Sequence, residues 1–160
     1  MVRIFSCGAA GEVTGSMHVV QFDGRTLVLD CGMFQGRRAE SEARNREYNL
    51  PLDKVDALIL SHSHIDHSGR LPRLVRDGYR KPIYATPATR DLCTVMLADS
   101  AHIQQEDAKF INKKRVRNGE LPIEPLYSQQ DALDTIPLFR TISYYQAFEP
   151  APGVTARFFE

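Results

Sequence analysis

Residues 61–69 read SHSHIDHSG, so that His62, His64, Asp66 and His67 crowd into one short stretch of a chain that has only 5 histidines in 160 residues. A neutral imidazole is the commonest protein ligand for a metal ion, and a carboxylate is its natural oxygen partner. His62 and His64 are two residues apart; on an extended chain both project to the same side, where they can grip one ion. Asp66 and His67 follow where the chain should turn into a helix, and there they can face a second ion. Two ions about 3.5–4 Å apart form a recognised hydrolytic site, which acidifies a shared water and clamps both oxygens of an in-line displacement. Ser68 and Gly69 would let the backbone come close and begin the helix. The bland alternative is a polar surface loop that happens to be rich in histidine, but position, spacing and residue types together argue against it.

Working outward, Val55 to Leu60 (VDALIL) is an almost continuous apolar run, suited to a strand covered on both faces. The histidine cluster thus sits at the carboxyl end of a buried strand, where ligands gather in open α/β sheets. Asp30 ends a second apolar strand, Thr26 to Leu29. It could accept a hydrogen bond from a ligating imidazole and fix its tautomer, although aspartates at strand ends are also common turn formers.

Elsewhere the expected elements are strands over Val2–Cys7, Ser16–Phe22 and Arg25–Asp30, the last two joined by the hairpin signal Asp23-Gly24. A polar surface helix is expected over Arg37–Tyr48, and helical spacing of Leu71, Leu74 and Val75 ends at Asp77-Gly78. After a short strand at Pro82–Ala85, Thr86-Pro87 is a helix start, and that helix can run through Met96 toward Lys114. Ser128 to Asp131 resembles a capping box. Two strands, Phe139–Ala147 and Val154–Phe159, flank a turn at Glu149–Gly153. Strands followed by strands alternating with helices indicate an α/β or α+β domain.

The bulk numbers agree with one soluble domain. Apolar residues make up 42% and charged residues 25%, an ordinary globular balance. No apolar run approaches the roughly 20 residues of a spanning helix, and the first residues lack the apolar core of a secretory signal. Twenty basic and twenty acidic side chains cancel, so any nucleic-acid binding must rest on local patches. Cys7, Cys31 and Cys93 are odd in number and widely spaced, which argues for reduced thiols and a cytoplasmic setting.

The H-x-H-x-D-H pattern of His62, His64, Asp66 and His67 resembles the metal motif of the metallo-β-lactamase superfamily, with Asp30 in LVLDCG matching the first motif of that family. The resemblance implies an αββα sandwich with a dinuclear, usually zinc, hydrolytic site, manganese or iron being alternatives. A narrower resemblance is carried by GAAGEVTGS (residues 8–16), LDCGMFQG (29–36) and the continuation SGRLP to Pro72. These look like the β-CASP group, RNA-processing nucleases related to the mRNA 3′-end cleavage factor and to ribonuclease J. The resemblance covers essentially the whole chain and is most specific over its first 72 residues. It implies that His62 and His64 serve one ion and Asp66 and His67 the other. It also implies a further histidine, a bridging aspartate and cap-domain residues beyond this point, whereas no histidine follows His102.

Donor counting agrees. Two catalytic zinc ions need roughly five or six protein donors after sharing, and the cluster supplies four. The expected fold is therefore α/β, the N-terminal half of a metallo-β-lactamase sandwich, with residues 1–160 forming an incomplete domain. The expected function is a metal-dependent phosphodiesterase acting on RNA, with Asp66 holding a metal and orienting the nucleophile, Asp30 assisting, and a longer homologous chain or a second copy as partner. A thioesterase or lactonase of the same superfamily would show the same cluster, and a non-catalytic metal-binding fragment or inactive subunit fits the donor count. His18 and His102 are further ligand candidates, each more simply a partly exposed histidine. The basic run Lys109–Arg117 could touch a phosphate backbone or merely complement a helix dipole. The loop Glu12–Ser16 could donate backbone N–H groups to a phosphate or simply connect strands.

Overall fold

A computed structural model describes residues 1–48 and 50–160, at 38 and 39 for the backbone only. Its centre is a six-stranded sheet in the order of the sequence: β1 (Val2–Gly8), β2 (Met17–Phe22), β3 (Arg25–Leu29), β4 (Ala57–Ile59), β5 (Ile83–Ala85) and β6 (Phe139–Thr141). The first three strands form an antiparallel meander, and β3 to β6 are parallel. Asp23 and Gly24, at φ 43° and 77°, make the tight β2–β3 turn, as the Asp-Gly pair predicts.

Parallel neighbours need crossovers. They are supplied by α1 (Arg38–Arg46) between β3 and β4, α2 (Ile65–Ser68) and α3 (Leu71–Arg76) between β4 and β5, and α4 (Pro87–Arg117) and α5 (Gln129–Thr135) between β5 and β6. Alternate strand residues, among them Met17, Val19, Val28, Leu58, Ile83 and Phe139, form the main core with Leu71, Leu74, Leu97 and Ala132 of the helices. Thr86 caps α4 by accepting the Thr89 N–H, and Ser128 and Asp131 form a reciprocal capping box on α5.

The other sheet face carries a smaller cluster. Leu27 and Ala57 pack with Ala151 and Val154 of a two-stranded hairpin, β7 (Ala147–Ala151) and β8 (Val154–Arg157). The hairpin contacts β3 and β4, while Val2 and Ile4 of the edge strand β1 stay 65% and 72% exposed. Helices, a large sheet and a small second sheet thus follow one another as layers.

Several boundaries depart from expectation. The strand expected over Phe139–Ala147 is two strands in two sheets: Tyr145 adopts φ 63° and its N–H donates to the Phe158 carbonyl at 2.8 Å, swinging the chain to the opposite face. β7 continues through Glu149 to Ala151, so Pro152 and Gly153 alone make the turn. β4 is shorter than Val55–Leu60, although the Asp56 and Leu60 N–H groups still donate to the Thr26 and Tyr84 carbonyls at 2.8 Å. Helix α4 extends to Arg117. No helix among the described residues is long and apolar enough to cross a membrane.

Candidate metal centre

The loop after β4 holds His62, His64, Asp66 and His67 against the loop after β3. A ladder of backbone hydrogen bonds joins them, Cys31 N–H to the His67 carbonyl and Met33 N–H to the Ile65 carbonyl at 2.8 Å and Arg70 N–H to the Cys31 carbonyl at 2.9 Å, and from the loop between β1 and β2 the Ser16 N–H donates to the Asp66 carbonyl at 2.8 Å. Gly32 permits this approach. A Cβ there would lie 1.6 Å from the Asp66 carbonyl oxygen.

Buried Arg70 ties the same loops from beneath. Its Nε donates to the Gly32 carbonyl at 2.6 Å and its Nη1 to the Glu47 carbonyl at 3.1 Å, and its guanidinium lies 4.8 Å from the Phe34 ring centre. The neighbouring thiol of Cys31 is pushed up to about 12, chiefly by burial and against the pull of Arg70, and so stays protonated.

Asp30 is the hub. It is buried at φ 60°, its Oδ1 accepts the Ser61 N–H at 2.8 Å, and its Oδ2 lies 2.7 Å from His67 Nδ1 and accepts the Ser16 hydroxyl at 3.1 Å. With Nδ1 donating to Asp30, the lone pair of His67 is left on Nε2. That nitrogen stands 3.7 Å from Asp66 Oδ2. Two atoms bound to one tetrahedral zinc at about 2.0–2.1 Å are ~3.4 Å apart, so this pair is close to a ligating spacing.

His62 lies over His67 with ring centres 4.0 Å apart and edge-on to His64 at 4.7 Å. Burial first, then the neighbouring His67 and His64, hold His62 below the usual imidazole range; it is neutral near pH 7 and offers a lone pair. Among the described residues, no three His, Cys, Asp or Glu side chains stand close enough together to hold an ion as they are. The donor chemistry and the pairwise spacing fit a metal; convergence of three donors on one point is not present.

Of the lesser candidates, His18 joins the edge of this network, its Nδ1 2.9 Å from the Ser6 hydroxyl and its Nε2 3.5 Å from that of Ser16. His102 is exposed on α4. Glu12 is held by the guanidinium of Arg44, and the Thr14 hydroxyl accepts the Gln35 N–H at 3.0 Å, which fixes the Gly8–Ser16 loop over the β3 exit. Sequence reasoning missed Ser16, Ser61 and Arg70. Only the position of Ser16 inside the glycine-flanked GEVTGS stretch hinted at a role.

Comparison with known families settles the affiliation. Residues 10–139 match the family model described as the metallo-beta-lactamase superfamily. The chain belongs to the metallo-β-lactamase superfamily. Within it, the chain is 49% identical over 106 residues to Ribonuclease TTHA0252 of Thermus thermophilus, covering 66% of this chain and 24% of the relative. It is 34% identical over 164 residues to transcription termination factor FttA of Thermococcus kodakarensis, covering 96% and 23%. With endoribonuclease ysh1 of Aspergillus fumigatus the identity is 28% over 144 residues, covering 89% and 15%. The chain thus spans about a quarter or less of the length of these superfamily relatives.

Proposed function

We propose that this chain is the first part of a metal-dependent RNA phosphodiesterase of the β-CASP type, working in the cytoplasm. The observation that carries the reading is the Asp30–His67 bond at 2.7 Å, which aims His67 Nε2 toward Asp66. It is supported by relatives named as a ribonuclease and an endoribonuclease. His62 and His64 would hold one zinc ion, and Asp66 and His67 a second. When bound, the ions would supply an acidified water and positive charge for the phosphoryl oxygens. The chain's own residues do the positioning. Asp30 holds the tautomer and ring plane of His67, the Ser61 N–H and Ser16 hydroxyl hold the Asp30 carboxylate in place, and Asp66 offers a carboxylate oxygen beside His67 Nε2. With four donors for two ions, residues 1–160 form an incomplete domain whose remaining donors come from further chain or from a partner.

Cleavage of a labelled RNA, with a thioester and a lactone as rival substrates, tests this in the full-length protein that carries this chain, unaltered and with His64→Ala or Asp66→Ala. The expected result is at least a hundredfold loss in both variants. Undiminished RNA cleavage would sink the proposal, and faster turnover of the thioester or lactone would move the activity to that branch of the superfamily. A second reading, a non-catalytic subunit, is favoured by the four-donor count. Co-purification with a longer homologous chain would favour it, and full cleavage activity of this chain alone would exclude it.

A further inference from the structure

Away from the cluster, the last third of α4 carries an unusual surface. Lys109, Phe110, Lys113, Lys114 and Arg117 recur at three- and four-residue spacing, so they share one side of the helix. All five are exposed, and Phe110 keeps 77% of its surface in solvent. Lys109 pairs with Glu106 at 2.7 Å, but Lys113, Lys114 and Arg117 form no ion pair among the described residues.

The other side of the helix end is strapped down. Asn112 donates to the Ile123 carbonyl at 2.9 Å and accepts the Ile123 N–H at 2.8 Å; Arg115 Nε donates to the Leu121 carbonyl at 2.7 Å and its Nη1 pairs with Glu120 at 3.0 Å; Gln104 accepts the Leu126 N–H at 3.1 Å. The returning segment 118–126 therefore holds the helix rigid while leaving its cationic side bare. Complementing the helix dipole accounts for cations in the final turn only. It explains neither Lys109 and Lys113 nor a phenyl ring left in water.

From this surface we infer that the Lys109–Arg117 side of α4 is a single-stranded RNA track, binding phosphates through Lys109, Lys113, Lys114 and Arg117 and stacking a base on Phe110. A cationic groove or strip with an interleaved aromatic is the arrangement that binds single strands without sequence preference. Because the chain has a formal net charge of zero, attraction to RNA must come from such a local patch. The strip spans about 12 Å of helix axis at ~1.5 Å per residue, roughly two nucleotide steps. Just before the strip in sequence, Gln104, Asp107 and Ala108 wall a cavity of about 470 Å³ together with Met33 to Gly36, and none of His62, His64, Asp66 or His67 lines it. The inference rests on the RNA reading above and deepens it.

The test is fluorescence anisotropy of a short labelled RNA in chelator, so that binding is read without cleavage. The triple variant Lys113→Gln/Lys114→Gln/Arg117→Gln is expected to bind at least tenfold more weakly at about 50 mM salt, with a log–log salt slope shallower by ~2, since each single-strand phosphate contact contributes roughly 0.7. Phe110→Ala should weaken binding severalfold with the slope unchanged. A control triple, Arg3→Gln/Lys54→Gln/Lys81→Gln, makes the same change in net charge elsewhere and should bind as the unaltered chain does. Equal binding by all variants, equal loss in both triples, or no RNA binding by the unaltered chain would overturn the inference, as would a change confined to self-association in sedimentation. Normal RNA binding that depends on the strip, without any RNA cleavage by the full-length protein, would leave the track standing and remove the catalytic reading.

Discussion

Asp30 occupies a left-handed backbone conformation, φ 60°, that few side chains other than Asn, Asp and Gly accept. Asp30→Asn keeps that tolerance and nearly the same shape while removing the charge that fixes His67. It should lower zinc affinity about 10–100-fold, read by competition with a chromophoric chelator, with little change in melting temperature. Two residues on, Gly32 faces a different demand. Gly32→Ala drives a methyl group into the Asp66 carbonyl and to 2.7 Å from the His67 nitrogen. Both loops are pinned by the backbone ladder, so the cost should reach or exceed the upper end of the about 1–3 kcal/mol seen for overpacking. Thermal denaturation should show it as a fall of about 2–4 °C per kcal/mol. That His62, His64, Asp66 and His67 stand together was legible because they are neighbours in sequence. Ser16, Ser61 and Arg70 were not, because each acts on a partner 14, 31 or 38 residues away, and no local pattern marks a pairing at that range.

At the scale of elements, α1 is weakly self-sufficient. It has no side-chain cap, and Asn45 is its one buried side chain among those described. Asn45 pairs with both backbone groups of Phe34, at 2.8 and 2.9 Å, while Arg70 holds the Glu47 carbonyl just beyond the helix. Arg70→Met would leave the Gly32 and Glu47 carbonyls without that donor, and the buried bond to Gly32 alone is worth about 1–3 kcal/mol. The expected result is loss of amide-exchange protection in residues 40–47 before the sheet is affected. Elements with local signals were readable: the Asp23-Gly24 turn, the Thr86 cap and the Ser128–Asp131 box all formed where the residues placed them. The division between β6 and β7 was not readable. Ile142 to Gln146 has the apolar and aromatic content of a strand, and only tertiary packing selects the positive φ of Tyr145 that breaks it.

For the whole molecule, the proposed ligand set of His62, His64, Asp66 and His67 would limit what this chain can hold by itself. Elemental analysis of untagged protein prepared without chelators should find fewer than two zinc ions per chain, removable by brief dialysis against chelator. Two tightly retained ions would mean that His18, Asp30 or a second copy completes the site. The layering has a separate, colloidal consequence. The β7–β8 hairpin shields only part of the second sheet face, so Val2 and Ile4 lie bare on an edge strand that has no further strand beside it among the described residues. An exposed apolar edge is a template for chain-to-chain pairing, and at its isoelectric point, about 7.0, the protein has no net repulsion to oppose it. Light scattering should therefore rise to a maximum near neutral pH and fall on either side, and Ile4→Lys should flatten that maximum, making slightly alkaline buffer the natural solvent for this chain.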